Sequence, residues 1–516
     1  MNLARFLPAL ALIPWLSVPV QAETYKGLAD LVASPELPAL PDDSQSSTQV
    51  MKDLIERYEL DLSRHATKVS LQESIQESLA NNPIALQQFS LYQGLVWDSI
   101  STRREWLPSI SLDSPTGAIG YNQKLTEIYA LPQSSRSWSR TFTLQNGSQF
   151  KPQLKLEWSL LNLSRSSRLS AQKDEIYSQG LRLRQSIRDL ILGVQSDYYE
   201  LQMARQEEDV FEGIYEFSKK LISSLESKEL SINNEKIIAA LRARSLQALS
   251  LRVSSQQNVI RLSASLSSRM ALPVDSFVLP SERLMVDGRW NTSLMRAIEI
   301  AMARREEIRI AQSQASSFNN QANALVRRYV PEVAAEAVGK VENNSYRLNQ
   351  TASDDYLSAN GYTLDKTLGV QVKWKIFDSG VLAAQSSAFR KRALSSLQQS
   401  ELDRLTIDAQ VKSAYAVYSS QLIQLPVVKR ELDQSLLSLE LRSEQSKNPT
   451  VTSITNLIQA LDQYQSAASR WFLTIQKYNT AVAQLYRYTS QWPTGVGSQV
   501  GSTLRYVSGI NLETND

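Results

Sequence analysis

A strand that runs straight into a very long helix occurs twice in this chain, and few folds can hold that unit even once. The first copy reads QLKLEWSLLNLSRSSRLSAQ from Gln153 to Gln172. Leu154, Leu156, Trp158 and Leu160 alternate with Lys155, Glu157 and Ser159. The second copy starts at Thr367, where Val370, Val372, Trp374 and Ile376 alternate with Gln371, Lys373 and Lys375 until Asp378-Ser379-Gly380 ends the pattern. A period of two puts one apolar face and one wet face on a strand. Trp158 and Trp374 occupy the same place in the two copies.

The duplication extends upstream. Ser70 to Pro108 and Ser293 to Pro331 align without a gap: Ser70 with Ser293, Leu71 with Leu294, Ile75 with Ile298, Trp106 with Tyr329. Val69 to Leu107 is expected to be helical, and its counterpart likewise. Proline is a poor helix continuer, so each helix should end there and pass into a strand. Ile110 and Leu112 alternate with serines in the first copy; Val333, Ala335, Ala337 and Val341 share a face in the second. Ser114 to Arg140 and about Asn343 to Lys366 are polar and read as connections. Phe142 and Leu144 alternate up to Asn146-Gly147, a dipeptide that signals a hairpin turn.

Long helical hairpins follow each strand. Leu183, Ile187, Leu190, Val194, Leu201 and Ala204 keep steps of four and three from Gly180, with Asp197 as a polar exception. That spacing marks coiled-coil packing in a helix from about Ser164 to about Ser227. Its return helix should stop near Ala271, before Pro273. In the second copy Val411, Tyr415, Tyr418, Leu422, Leu425, Val428 and Leu432 hold the outgoing seam. Ile454, Leu457, Leu461, Tyr464, Ala468, Trp471, Ile475, Tyr478, Val482 and Leu485 hold the return. Pro426, inside the outgoing helix, is expected to kink it. The chain therefore divides into residues 1–22, 23–68 (an extension), 69–273 (first repeat), 274–292 (linker), 293–492 (second repeat) and 493–516 (a Gly/Ser/Thr-rich tail).

Composition narrows the function. The formal charge of +3 gives no electrostatic case for nucleic acid, and the absence of cysteine excludes disulfides, thiolate metal sites and cysteine nucleophiles. The single histidine, His65, sits in a polar stretch. No catalytic set, cofactor site or metal site is legible. Arg5, the apolar run Phe6 to Val18 and Val20-Gln21-Ala22 read as a secretory signal peptide cleaved before Glu23. No other stretch has around twenty uninterrupted apolar residues, so entry into a membrane would need strands of a closed barrel.

In this duplicated order (helix, proline, strand, polar loop, strand, long helical hairpin) the sequence resembles the TolC family of outer-membrane efflux proteins, over roughly Ser70 to Trp492. The resemblance implies a mainly α fold with a β-barrel portion: a trimeric α-barrel/β-barrel channel to which each chain gives four strands. It implies a homotrimer in outer-membrane lipid that docks with a periplasmic adaptor and an inner-membrane transporter. Such a protein is a passive exit duct for efflux or type I secretion, with no enzyme activity and no cofactor. Val370, Val372 and Trp374 would face lipid, and Gln371, Lys373 and Lys375 the pore. The tunnel constriction maps to Asn456 and Gln459, with Thr455 nearby. Adaptor docking maps to the helix turns Lys228-Glu229-Leu230 and Asn448-Pro449-Thr450, which lack the glycine common in the family. Trp106, Tyr329, Trp158 and Trp374 are candidates for an interfacial girdle or for core packing. Glu207-Glu208-Asp209 is either a solvated helix face or a lumenal acidic ring. A soluble periplasmic coiled-coil scaffold or adaptor explains the signal peptide and the heptads, but not the alternating strands.

Overall fold

The computed structural model describes residues 66–114, 121–130, 139–148, 152–226, 232–349, 356–446 and 450–493, all within the unit Ala66–Asp516. The segment read as a signal peptide, most of the extension and nearly all of the tail lie outside the described residues. In chain order the elements are β1 (Ala66–Val69), α1 (Leu71–Asn81), α2 (Pro83–Arg104), β2 (Ser109–Asp113), β3 (Tyr121–Ala130), β4 (Ser139–Ser148), β5 (Gln153–Leu161), α3 (Leu163–Glu226) and α4 (Ile232–Arg269). There follow β6 (Phe277–Pro280), α5 (Leu294–Arg304), α6 (Glu306–Val326), a 3₁₀ turn (Arg327–Tyr329), β7 (Glu332–Asn349), β8 (Tyr356–Lys373), α7 (Val381–Gln445) and α8 (Val451–Tyr488).

Each helix expected before a proline is two helices, broken at equivalent positions. Asn82 separates α1 from α2 with φ −67 and ψ 122, and Arg305 separates α5 from α6 with φ −60 and ψ 129. The first break is written locally. Asn82 Oδ1 accepts from Ile84 N at 2.9 Å as an N-cap, Pro83 takes the first helical position, and Asn82 Nδ2 donates to Arg269 O at 2.7 Å at the end of α4. The second break has no proline and no side-chain cap, and partners distant in the chain hold the residues that follow it.

The long helices appear where the heptads place them. α3 has 64 residues and α7 has 65, so each runs about 96–98 Å at about 1.5 Å per residue. Leu183, Ile187, Leu190, Val194, Leu201 and Ala204 are buried against α1, α4, β1 and β6. Asp197 accepts from Arg269 and Ser265 of α4, each at 2.6 Å, so the polar exception ties the hairpin together. α7 continues through Pro426 as one helix. The loss of a single hydrogen bond there does not stop a helix carried by the packing of its other turns.

Two short strands pair in parallel where the sequence showed only an extension and a linker: β1 with β6, from Ala66↔Phe277 to Val69↔Pro280. The remaining strands form one sheet. β8 pairs with β7 along its whole length, Glu332↔Lys373 to Asn349↔Tyr356. On the other side of β7, β5 covers Val333–Lys340 and β4 covers Tyr346–Asn349, so β4 and β5 lie end to end. β2 pairs with β5 and β3 with β4 beyond them. The expected four strands are thus four tracks, two of them interrupted. Asn146-Gly147 is no hairpin turn: both residues lie inside β4, opposite Gln123 and Asn122. The described residues of the regions read as polar loops are largely paired strand, because the ladder satisfies the backbone whatever the side chains.

The helices lie side by side as α2, α3, α6, α7 next to the sheet and as α4, α3, α8, α7 farther away. Sheet and helices therefore have open edges on the same two sides: β2 and β3 with α2 and α4 on one, β8 with α7 on the other.

Candidate functional site

The sheet has two chemically opposite faces. Ile110, Leu112, Leu154, Leu156, Trp158, Val333, Ala335, Ala337, Leu368, Val370 and Val372 share one face, as the register requires. Most of its large members, among them Leu368, Val370 and Val372, are well exposed in the single chain. The other face carries Ser109, Ser111, Lys155, Glu157, Glu336, Gln371 and Lys373. Lys155 Nζ lies 2.6 Å from Glu157 and 3.5 Å from Glu336. Along β7 the apolar face runs from Val333 to Val341, about nine residues, the length of a membrane-spanning strand. A polar face across a sheet from a bare apolar one is the pattern of a barrel with a wet interior.

Where sheet meets helices, the two tryptophans picked out by the repeat make the same bond. Trp158 Nε1 donates to Trp106 O at 2.9 Å, and Trp374 Nε1 donates to Tyr329 O at 3.0 Å. All four proposed interface aromatics are thus brought together pairwise, each pair fastening a strand to the turn before its proline. Trp106, Trp158 and Trp374 are exposed; Tyr329 is half-buried, and its hydroxyl donates to Asp378 Oδ1 at 2.8 Å. Asp378 also accepts from the backbone N–H groups of Gly380 and Leu382, each at 3.0 Å. Gly380 has φ +82, a left-handed conformation that suits glycine, which explains the break in the alternating pattern there.

The second helix break is held by a buried ionic cluster. Arg188 Nε of α3 donates to Glu306 Oε1 at 2.9 Å, and these side chains are 9% and 5% exposed. Ser490 Oγ donates to Glu306 Oε2 at 2.7 Å, Arg188 Nη1 donates to Gln491 O at 3.0 Å, and the Arg188 guanidinium lies 3.8 Å from the Trp492 ring centroid. Beside it Glu307 accepts from Arg305 Nη2 at 2.8 Å and Arg487 Nη2 at 2.9 Å, while Arg487 Nε donates to Asp189 at 2.5 Å. These contacts join α3, α6 and the end of α8. They fix the first turn of α6, which follows the extended residue Arg305. The run Arg304-Arg305-Glu306-Glu307 was visible in the sequence; its partners, more than a hundred positions away, were not.

Burial pushes the Glu307 carboxyl up, but the hydrogen bonds and positive charge of Arg305 and Arg487 outweigh it and hold the pKa at about 2, below the ordinary 4.5. A carboxyl depressed in the folded state contributes stability that is fully present above its unfolded value and is lost as pH falls through the folded value. The contribution should therefore fade between pH 4.5 and about 2, and by about 3 kcal/mol in all. Denaturant midpoints measured for wild type and Glu307→Gln should be separated at neutral pH, and the separation should shrink below pH 4.5 and close only at about pH 2. A constant separation across that range would contradict the assignment.

At the far end of the hairpins Leu225, Ile237, Ile238, Leu241, Ile454 and Leu457 form a small core. Thr450 caps α8 in a capping box with Ser453. Thr455 and Gln459 are exposed and Asn456 is half-buried, on the side of α8 away from Ile454 and Leu457. Lys228, Glu229, Leu230, Asn448 and Pro449 lie outside the described residues. Glu208 forms neither an acidic ring nor a solvated face: it is buried, pairs with Arg205 at 2.5 Å, and burial pushes its carboxyl up. The sequence reading missed a groove of about 480 Å³ between the hairpins, lined by Val210, Ile214, Phe217, Leu436, Leu439 and Phe472 among others. Among the described residues no cluster of His, Asp or Glu could hold a metal, and no helix is long and apolar enough to cross a membrane.

No family model matches the sequence, and no curated protein matches it. Solved structures do. The Campylobacter jejuni CmeC outer membrane channel superposes with a TM-score of 0.63 at 12% identity, over 85% of this chain and 89% of that one. The open state of the Neisseria gonorrhoeae MtrE outer membrane channel gives 0.59 at 13% identity, over 82% and 89%. The outer-membrane channel OprN gives 0.58 at 14% identity, over 82% and 90%. The shared architecture is the duplicated one derived above, and this chain has the fold of these outer-membrane channels.

Proposed function

We propose that the chain is one subunit of a trimeric outer-membrane channel that serves as a passive exit duct for efflux or secretion. The observation that carries this reading is the sheet with one bare apolar face, one charged face and two open edges. Four tracks cannot close around a lumen, and an open edge pairs with another chain. Three copies would bring twelve tracks, enough for a wide barrel. The contact is heterologous, the β8 and α7 edge of one copy against the β2, α2 and α4 edge of the next, and such contacts give a ring when the rotation between copies closes.

The helices then form a tunnel on the periplasmic side, to which the signal peptide delivers the chain. A periplasmic adaptor and an inner-membrane transporter are the expected partners, meeting the tip at residues 228–230 and 448–450. The apolar groove between the hairpins suits an amphipathic helix of the adaptor. The pump supplies the energy, so the duct needs no catalytic group.

The test is the molar mass of the detergent-extracted membrane protein, corrected for bound detergent, followed by single-channel recording. A trimer that conducts supports the duct. A monomer or dimer in the soluble fraction overturns it in favour of the coiled-coil scaffold. In the channel, Asn456, Gln459 and Thr455 form the proposed neutral constriction. Replacing Asn456 and Gln459 together by Asp should then raise cation selectivity, read as a shift in reversal potential under a salt gradient. An unchanged reversal potential would place the constriction elsewhere.

A further inference from the structure

We infer that the turns joining helices to sheet form a cationic belt that binds the phosphates of anionic phospholipids in the leaflet bordering the helical end. This rests on the membrane reading above. Arg103 and Arg104 end α2, and Arg327 and Arg328 form the turn after α6. Arg104 and Arg327 are equivalent in the two repeats. All four are exposed. Arg327 Nη1 donates to Ser166 Oγ at 2.8 Å, and none of the four makes an ion pair among the described residues.

The acidic residues at this level are occupied. Glu105 is paired with Arg168 and lies 3.6 Å from Arg165. Glu332 accepts from Asn162 Nδ2 at 2.9 Å. Asp378 accepts from Tyr329, Gly380 and Leu382. The carboxylates at this level are thus used within the fold, whereas Arg103, Arg104, Arg327 and Arg328 carry no carboxylate partner among the described residues.

The position of the belt identifies its ligand. Trp158 and Trp374 continue the apolar face of the sheet, and from that face each reaches the carbonyl of Trp106 or Tyr329. The turns carrying the arginines therefore lie at the end of the apolar band, on its lipid side. Leu107, Ile376 and Phe377 stand exposed at the same level. Arginine below an exposed aromatic and aliphatic collar is the arrangement that meets lipid headgroups. The guanidinium fork matches phosphate oxygens, and a cluster attracts anionic in preference to zwitterionic headgroups.

The test uses the full-chain oligomer in neutral detergent. Retention of phosphatidylglycerol and of phosphatidylcholine with matched acyl chains is compared by native mass spectrometry. One cation near an anionic surface is worth about a fivefold gain in affinity. Wild type should therefore prefer phosphatidylglycerol, and Arg104→Gln with Arg328→Gln should lower that preference by at least about tenfold. Lys219→Gln with Lys220→Gln, the same charge change on α3 far from the sheet, should leave it intact. Equal retention of the two lipids by wild type, or a preference unchanged in the arginine variant, overturns the belt while leaving the channel standing. Recovery of the chain without detergent in the soluble fraction overturns the channel reading itself, and the belt with it.

Discussion

Replacing Ile423 by arginine should leave the chain folded and abolish its assembly. α7 is apolar on two opposite sides. Ile407, Val411, Ala414 and Tyr418 are buried against the rest of the chain. Leu405, Ile423 and Leu441 lie on the other side, 70%, 71% and 57% exposed. Eighteen residues make about five turns, so these three stand in line, with Leu394, Leu402, Val427 and Leu437 beside them. A helix with one unpartnered apolar side is a helix whose partner is another chain. The facing edge offers Ile84, Leu86, Leu91 and Trp97 on α2 and Leu246 and Val253 on α4, all exposed. An unpaired guanidinium in such a seam costs about 3–5 kcal/mol at each contact, and a closed ring contains the contact once per subunit. Helix content by circular dichroism should be unchanged while the detergent-corrected mass falls to that of one chain. An intact oligomer would show that this stripe faces something other than a neighbouring copy.

Arg188→Ala should be the most destabilising single change within the chain. The side chains of Arg188 and Glu306 are almost wholly buried, and among the described residues Glu306 has only Ser490 as a further side-chain donor. Truncating the arginine leaves a carboxylate out of water without its counter-charge, at a cost of about 3–5 kcal/mol. The same change removes the donor to Gln491 O and the cation over Trp492, which hold the end of α8 against α3. The cost should be largely removed in the double variant Arg188→Leu, Glu306→Leu, because a buried apolar pair carries no unpaired charge. Denaturant midpoints for the two variants separate the cases. If the double variant is as unstable as the single one, the loss lies in packing and not in charge.

Much of the architecture was legible because it is periodic. Period two in Leu154–Leu160 and Val370–Ile376 fixes which face of each strand is apolar. Steps of four and three along α3 and α8 place their buried seams within a residue or two. Two equal repeats exclude an accidental match of either. What periodicity cannot show is where the backbone leaves a pattern for a distant reason. Asn82-Pro83 writes its helix break into adjacent residues. Arg305 breaks α5 from α6 at the equivalent place with no proline and no side-chain cap, and Glu306 and Glu307 are held there by Arg188 and Arg487, more than a hundred positions away. Asn146-Gly147 failed in the opposite direction: a strong turn dipeptide lies within a strand because β3 pairs with it along its length.

The sequence by itself determined the duplicated unit, the two faces of the sheet and the length and seams of the hairpins. Each of these follows from how side chains next to one another in the chain divide between water and apolar surroundings. Only the tertiary structure decided the parallel pairing of β1 with β6, the burial of Glu208, the ionic cluster around Arg188 and Arg487, and the alignment of open edges on sheet and helices. Those depend on contacts between residues far apart in the chain, and neither composition nor period carries that information.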